Sequence, residues 1–301
     1  MQDRYAGDVG DFGKFGLLKA VRASEMRVGI NWYKVLPPSF EIREHGVYKN
    51  NNGKHKISRQ DELCDPELAD ALNSIFVKGT QRSVELLERA ALVDDAVYFN
   101  KPIPVKDRLK WHKEALNVLR GCDVVFMDPD NGLLPEKTNR SGKKSEKYVF
   151  DEEIHDYLAG GQSVICYQHR KRIPPADYFA EMEQRLRAIG ADYGTLVVTF
   201  RRGTVRDYFL IAATEAHKFK MEEAINTMNL SAWGKRNFFH MQPFPYVVCP
   251  ACGNDRLLPI LYGNPSSMAG NLAEAGKIEL GGCCVFEDSP QWKCQKCGQS
   301  F

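Results

Sequence analysis

The chain has 301 residues, of which 43% are hydrophobic and 27% are charged, and its formal net charge at pH 7 is +2. These values exclude an intrinsically disordered chain, and the small net charge gives no general argument for nucleic-acid binding. We find no apolar run of transmembrane length and no signal-peptide pattern, so we expect a cytoplasmic protein without a membrane partner.

The first third of the chain predicts a helix, a strand and a long loop. Apolar residues at helical spacing indicate a helix over 12–23, and an apolar run indicates a strand over 27–35. Residues 36–60 are rich in proline, asparagine and charge, which is typical of a loop. The elements predicted next are helices at 66–76 and 81–91 and a short strand at 96–100.

The remaining elements alternate between helix and strand. A helix over 105–121 ends on a glycine, and the strand at 122–128 is continuously apolar, as in a central strand covered on both faces. The later predicted elements are a helix near 151–159, a strand at 162–169, a helix at 175–189, two strands joined by a short turn within 195–214, and a helix at 215–228. This order predicts an α/β fold with a doubly wound, mostly parallel sheet. Its terminal antiparallel hairpin resembles class I methyltransferase folds, so we expect a Rossmann-like sheet of the methyltransferase type.

The cysteines mark a second domain. Six of the nine lie in the last fifth of the chain. Two C-x-x-C pairs, each followed by glycine, predict a four-cysteine structural zinc site at Cys249, Cys252, Cys294 and Cys297. Cys283 and Cys284 could supply a substitute ligand or pack structurally. We therefore expect an α/β domain at 1–230, a linker at 231–245 and a zinc ribbon at 246–301.

A polar segment follows the apolar strand at 122–128. The sequence DPDNG places Asp128, Asp130 and Asn131 where doubly wound folds bind ligands, at the carboxyl end of a parallel strand. Pro129 and Gly132 favour a turn at the same point, so a solvated turn without function is the alternative.

Other polar residues are expected near the same strand ends. The strand at 162–169 ends in YQHRKR, which would place His169 and Arg170 beside Asp128, with Tyr167 and Arg172 close by. A histidine in that position could be a general acid or base or a metal ligand. Lys143, Lys144 and Lys147 could form a phosphate-facing rim or simply a solvated face. Arg201, Arg202 and Arg206 flank the hairpin turn and are expected to be exposed.

Several segments resemble known families. The opening YAGDVGDFGKFGLLKA is similar to the start of ribosomal-RNA adenine methyltransferases of the RlmJ group, and DPDN resembles the D-P-P-Y element of nucleic-acid amino-methyltransferases. Residues 4–213 resemble an uncharacterised bacterial family through GDVGDFGKFGLLK, WYKV, FMDPDNGL, KYVFDEEI and SVICYQHRKR. The tail resembles small bacterial zinc-ribbon proteins through CPACG, LYG, GGCC and PQWKCQKCG.

The resemblance implies S-adenosylmethionine as cofactor and a nucleic-acid base as target. The chain departs from the pattern because DPDN lacks the second proline and the aromatic residue, and no G-x-G follows the first strand. The nearby glycine-rich stretch precedes that strand, and its Asp8, Gly10, Asp11 and Lys14 are the candidate cofactor-binding residues.

Three functions remain open from the sequence. The first is a methyltransferase-like enzyme acting on RNA or DNA, in which Asp128 orients the target base, Asn131 adds a hydrogen bond, and His169 and Arg170 hold base or phosphate. The second is a magnesium-dependent phosphodiesterase or nuclease that uses Asp128 and Asp130. The third is a non-catalytic module that binds nucleic acid or protein, with the ribbon as a docking surface.

Overall fold

The computed structural model describes residues 1–36, 56–75, 82–104, 106–136, 138–140, 142, 144–202 and 204–301. Most of the predicted long loop (37–55) and Lys143 of the predicted basic rim lie outside the described residues. Among the described residues, no helix is long and apolar enough to cross a membrane.

The described helices and strands alternate along the first two thirds of the chain. The helices are α1 (Val9–Ala23), α2 (Arg59–Glu62), α3 (Pro66–Ile75), α4 (Val84–Arg89), α5 (Arg108–Leu119), α6 (Asp151–Ala159), α7 (Pro175–Ile189), α8 (Glu215–Leu230), α9 (Ala232–Lys235) and α10 (Ser267–Glu274). The strands are β1 (Val28–Asn31), β2 (Val97–Phe99), β3 (Val124–Met127), β4 (Gly132–Leu133), β5 (Tyr148–Val149), β6 (Ser163–His169), β7 (Thr195–Phe200), β8 (Arg206–Ile211), β9 (Phe239–Gln242), β10 (Leu257–Leu261), β11 (Glu279–Leu280) and β12 (Trp292–Cys294).

A seven-stranded sheet forms the centre of the α/β domain, with the order β2-β1-β3-β6-β8-β7-β9. The pairs β1/β2, β1/β3 and β3/β6 are parallel, and β6/β8, β8/β7 and β7/β9 are antiparallel. The predicted mostly parallel α/β sheet is thereby confirmed. The second strand of the hairpin, β8, lies between β6 and β7, so the residues at its start face the end of β6.

Both faces of this sheet are covered by apolar side chains. Along β3, Val124 and Phe126 belong to the core that packs against α1 and α8, whereas Val125 and Met127 belong to the core against α5, α6 and α7. Successive residues of a strand point to opposite faces, so a strand that is buried on both sides must be apolar throughout. The continuous apolar run before Asp128 has this structural cause.

The segment 231–245, predicted as a linker, belongs instead to the α/β domain. Its strand β9 pairs with β7 and completes the sheet, and its Trp233 is buried against Phe12 of α1, with ring centroids 4.7 Å apart. A short strand at a sheet edge carries little periodic signal, and the glycine and polar residues around it resemble a loop.

The C-terminal region forms a small three-stranded sheet of order β11-β10-β12 with α10 beside it. It contacts the larger domain at several points. Lys277 donates a hydrogen bond to the carbonyl of Gly234 (2.9 Å), and Asp255 lies 3.6 Å from the guanidinium of Arg201 on the β7–β8 turn.

Candidate functional site

Strands β1, β3 and β6 run parallel and therefore end at the same edge of the sheet. In the sheet, β1 lies between β2, which is the next strand in the chain, and β3. The crevice between β1 and β3 is thus a topological switch point, the usual ligand position in such sheets. Asp128 follows β3 directly, and its backbone N–H donates to the carbonyl of Asn31 at the end of β1 (3.0 Å).

A cavity of about 270 Å³ lies at this edge, and we call it the carboxyl-edge cavity. Most of the predicted site residues line it, namely Asp8, Gly10, Lys14, Asp128, Asp130, Asn131 and His169. The other lining residues are Met1, Gln2, Tyr5, Pro129, Lys147, Tyr167, Thr204 and Arg206. A larger depression of about 420 Å³ lies against α6 and α7, away from these strand ends.

A buried cluster of three charged groups adjoins the carboxyl-edge cavity, and two of them, Lys14 and Asp128, line it. The Nζ of Lys14 lies 2.8 Å from Oδ2 of Asp128 and 3.0 Å from Oδ1 of Asp11. Burial raises the pKa of both carboxyl groups, and Lys14 only partly offsets this. The two carboxylates hold the pKa of Lys14 well above its usual value although burial opposes them, so the ammonium stays charged. Asp128 is therefore already paired within the protein.

Helix α1 brings this lysine to the strand ends. Asp8 caps the helix by accepting hydrogen bonds from the backbone N–H groups of Gly10 (2.8 Å) and Asp11 (3.1 Å). Asp11 and Lys14 are three residues apart and so lie on the same helix face. These two predicted cofactor-binding residues therefore lie beside Asp128, where the start of the helix places them.

Asp130 also lines the cavity and is held by cationic and polar groups. Its carboxylate accepts a hydrogen bond from the side chain of Gln2 and lies 3.4 Å from the amino group of Met1 and 3.8 Å from Nζ of Lys147. Burial alone would raise the pKa of Asp130, but these neighbours lower it overall. Asp130 is consequently ionised at neutral pH.

Backbone pairing fixes the DPDNG turn against β6. The N–H of His169 donates to the carbonyl of Asn131 (3.1 Å), and the N–H of Leu133 donates to the side-chain oxygen of Gln168 (2.7 Å). Gly132 has φ +110°, and a Cβ there would lie 2.0 Å from that same oxygen. The glycine of the motif is thus required by a close approach between two chain segments.

We expect Gly132→Ala to destabilise the protein by more than 1 kcal/mol, because it combines an unfavourable φ with a steric clash (about 1–3 kcal/mol for the backbone strain alone). Gly161→Ala is the matched control, since Gly161 also has a positive φ (+79°) but has no atom within 4 Å of the added Cβ. Thermal unfolding of the two variants measures the difference, and equal losses would show that the contact with Gln168 contributes nothing.

His169 adds a neutral imidazole to the cavity wall. Its Nε2 lies 2.9 Å from the hydroxyl of Tyr167. Burial and the nearby charge of Arg206 lower the pKa of His169, so the ring is uncharged at pH 7. A neutral imidazole can donate or accept a hydrogen bond or a proton at this position.

Arg170, the remaining predicted catalytic residue, does not reach the cavity. Its guanidinium forms two hydrogen bonds with the carboxylate of Asp207 (2.9 and 2.6 Å) and one with Thr199 (3.0 Å). Side chains alternate along a strand, and this alternation sends Arg170 to the face opposite His169 as the chain leaves β6.

Arg206 is the residue that the sequence analysis placed wrongly in an exposed turn. It is the first residue of β8 and pairs in register with His169 at the end of β6. Both side chains line the carboxyl-edge cavity. Arg206 lies opposite His169 because β8 pairs directly with β6. Only knowledge of the strand order could have predicted this position.

S-adenosylmethionine does not fit the crevice between β1 and β3. The amino group of Met1 occupies it and donates hydrogen bonds to the carbonyls of Trp32 (3.0 Å), Tyr33 (2.9 Å) and Asp128 (2.8 Å). Trp32 and Tyr33, where a glycine-rich turn would admit the cofactor, are fully enclosed. The predicted cofactor residues of α1 instead serve the cap and the buried charge cluster.

The two aspartates are each engaged by other groups of the protein. Asp128 is paired with Lys14, and Asp130 is held by Gln2 and Met1. The one group of three or more potential ligand side chains found among the described residues is the cysteine cluster.

The four predicted cysteines, Cys249, Cys252, Cys294 and Cys297, come together with all sulfur atoms within 4.8 Å of one another. The Sγ atoms are 3.5 Å apart in Cys249/Cys297 and 3.6 Å apart in Cys252/Cys294. A tetrahedral site with Zn–S bonds of about 2.3 Å has sulfur separations of about 3.8 Å, so the cluster is compatible with a structural metal such as zinc. The other two C-terminal cysteines are exposed and lie outside it.

No family model and no curated protein matches this sequence. The function must therefore be argued from the cavity and its surroundings.

Proposed function

We propose that this chain acts on nucleic acid and that the carboxyl-edge cavity holds one base of its substrate. The observation that carries the proposal is a single cavity that combines an exposed aromatic ring, Tyr5, with a carboxylate and an amide, Asp130 and Asn131. An unstacked base offers a flat face to an aromatic ring and polar edges to such groups, which makes this combination suitable for it.

Tyr5 supplies the stacking surface of the proposal. Its side chain is 45% exposed although it lines the cavity. The guanidinium of Arg4 lies 5.1 Å from the ring centroid and supports the ring from one side. Stacking on such a ring is tolerant of base identity, so Tyr5 would contribute affinity more than specificity.

Asp130 and Asn131 supply the hydrogen-bonding groups. An ionised carboxylate accepts hydrogen bonds from an exocyclic amine, and an amide both donates and accepts. Asp128, which was predicted to orient the target base, is 1% exposed and bound to Lys14. Its part in the proposal is to position the DPDNG turn.

We propose that the sheet has a methyltransferase-like fold and that its carboxyl edge binds the base. The terminal antiparallel hairpin, the D-P-D-N segment after β3 and the position of α1 support it. Methyl transfer is not part of the proposal, because the described residues leave no room for the cofactor between β1 and β3. No specific contact favours the magnesium-dependent phosphodiesterase.

Zinc is the metal that we propose for the cysteine cluster. Four thiolates in a closed tetrahedral arrangement are typical of structural zinc rather than of a catalytic site, which keeps an open position. The ribbon would then stabilise the C-terminal region, and its exposed surface remains available to a protein or nucleic-acid partner.

The test is the affinity for short single-stranded RNA and DNA, measured by fluorescence anisotropy. We expect Tyr5→Ala to weaken binding roughly tenfold or more, since stacking of one base contributes about 1–3 kcal/mol. Tyr193→Ala is the matched control, because Tyr193 is similarly exposed (48%) and does not line the cavity. Its affinity should equal that of the unmodified protein.

Two results would contradict the proposal. The first is the absence of binding to either kind of single strand, and the second is an equal loss in both tyrosine variants. Calorimetric titration with S-adenosylmethionine should give no heat of binding. Micromolar binding of that cofactor would restore the full methyltransferase hypothesis and refute our description of the crevice.

A further inference from the structure

We propose that Arg206 forms a phosphate-binding subsite in the carboxyl-edge cavity and that the substrate reaches it as a phosphate-bearing nucleotide. This inference rests on the proposed function, because it names the group that anchors the base. It assigns to Arg206 the role that the sequence analysis gave to Arg170.

The side chain of Arg206 is half-buried, and two of its guanidinium nitrogens lack hydrogen-bond partners. Its Nε and Nη1 atoms have no accessible surface to speak of and no acceptor among the described residues. An unsatisfied buried donor is costly, and a charged one more so. Arg206 lines the cavity, so an anion bound there would lie beside the guanidinium and offset its charge.

The structure holds this side chain firmly in place. The Cζ atom lies 5.2 Å from the centroid of the Phe200 ring, within range of a cation–π contact. On another side the guanidinium approaches the start of α1 so closely that a Cβ at Gly10 would lie 3.0 Å from Nη1. The same Cβ would lie 2.8 Å from Oδ1 of Asp8, so Gly10 makes room for both the helix cap and the arginine. This role differs from the predicted cofactor contact.

The acids around the cavity are engaged elsewhere. Asp8 accepts two backbone hydrogen bonds at the start of α1, Asp128 binds Lys14, and Asp130 binds Gln2. Arg206 Nε and Nη1 form no hydrogen bond with these described carboxylates. Burial alone would lower the pKa of Arg206, but the nearby Tyr167, Tyr208, Asp8 and Asp11 raise it overall. Two of its donor nitrogens thus remain without an acceptor in the described part of the fold.

Phosphate is the anion that best suits this geometry. The planar guanidinium binds two oxygens of one phosphate through parallel N–H groups, whereas a lysine acts as a point charge. The hydroxyl of Thr204 lines the same wall and can donate a further hydrogen bond. With Tyr5 also lining the cavity, phosphate and base of one nucleotide can be held together.

The experiment compares ligands that differ only in phosphate. Calorimetry with adenosine 5′-monophosphate, adenosine and inorganic phosphate gives the phosphate contribution for the unmodified protein and for Arg206→Gln. We expect the monophosphate to bind roughly tenfold or more tightly than the nucleoside, and we expect that preference to vanish in the variant. Arg172→Gln is the control, since it removes the same charge from an exposed position outside the cavity.

Two further variants separate lost binding from lost folding. Arg206→Lys keeps the positive charge and should fold, yet it should lose most of the phosphate preference because it cannot bind two oxygens in parallel. Gly10→Ala should displace both the Asp8 carboxylate and the guanidinium and reduce the preference as well. Thermal unfolding of each variant shows whether it is folded under the conditions of the titration.

The outcomes are distinguishable from those of the base-binding test. If single strands bind equally to the unmodified protein and to folded Arg206→Lys and Arg206→Gln, the phosphate subsite is refuted and the base site stands. If phosphate binds through Arg206 but no single strand binds, the subsite stands and nucleic acid is refuted as the substrate, leaving a free nucleotide. If the monophosphate binds no better than adenosine, the subsite is refuted.

Discussion

Replacing Lys14 with methionine is expected to lower the free energy of unfolding at pH 7 by about 3–5 kcal/mol, because it leaves buried carboxylates without their cation. Lys14 bridges Asp11 and Asp128, and its side chain is 9% exposed. Methionine has a similar length and no charge, so the loss reports mainly on the ion pairs. Chemical denaturation of the variant measures it.

Lys19→Met provides the matched control on the same helix. Lys19 also forms an ion pair, with Asp65 at 2.6 Å, but its side chain is 39% exposed. Exposed pairs of this kind contribute about 0–1 kcal/mol, so the control should unfold almost as the unmodified protein does. Equal losses in the two variants would mean that burial of the Lys14 cluster has no energetic consequence.

The loss in Lys14→Met should also depend on pH. Burial raises the pKa of Asp11 and of Asp128, so the folded state holds protons more tightly than the unfolded state and stability falls as pH rises through that window. Without Lys14 both pKa values rise further. The difference between variant and unmodified protein should therefore be small near about pH 4–5 and grow towards pH 7. A difference that is constant with pH would contradict this account.

The strand-end site was predictable because its signals are local. A continuous apolar run can only be a strand covered on both faces, and a polar segment directly after it must then lie at the carboxyl edge. Asp128 and Asn131 follow from this pattern alone. Asp11 and Lys14 were predicted only as cofactor-binding residues, and their contact with Asp128 depends on how α1 packs.

The predictions for Arg170 and Arg206 were wrong because their positions depend on the order of strands in the sheet. Arg170 and Arg206 look alike in the sequence, since each is an arginine next to a predicted turn. Their positions differ because β8 is inserted beside β6, which brings Arg206 opposite His169, while the alternation of side chains turns Arg170 to the other face. Pairing between strands far apart in the chain is a tertiary property that no local pattern encodes.

The same limit applies to the predicted linker at 231–245. Strand β9 has only four residues, Phe239–Gln242, and three of them are half-buried. It becomes a strand because β7 offers an unpaired edge, not because its own sequence alternates. The cysteine pairs show the opposite case, since their spacing alone brings four sulfurs to one point.

Removal of the metal is expected to unfold the C-terminal region and leave the seven-stranded sheet intact. The apolar core of this region consists of little more than Cys249, Leu257 and Cys294, which is too small to stabilise it alone. In zinc-finger peptides the metal supplies about 10–16 kcal/mol, so the bound ion would dominate the stability of 246–301. The partly exposed pair Arg201–Asp255 is worth at most about 1 kcal/mol, so its loss should not unfold the sheet.

Measurements of metal content and of hydrogen exchange together test whether the metal holds the C-terminal region folded. We expect one zinc per chain, and we expect a chelator or Cys294→Ser to abolish backbone protection in 246–301 while the sheet strands keep theirs. Cys283→Ser and Cys284→Ser are the controls, because both thiols are exposed and lie outside the cluster. Since thiolates bind the metal, zinc should also be released as the pH falls and the thiols become protonated. Loss of zinc in either control variant would refute the ligand set, and loss of protection throughout the sheet would show that the ribbon supports the whole fold.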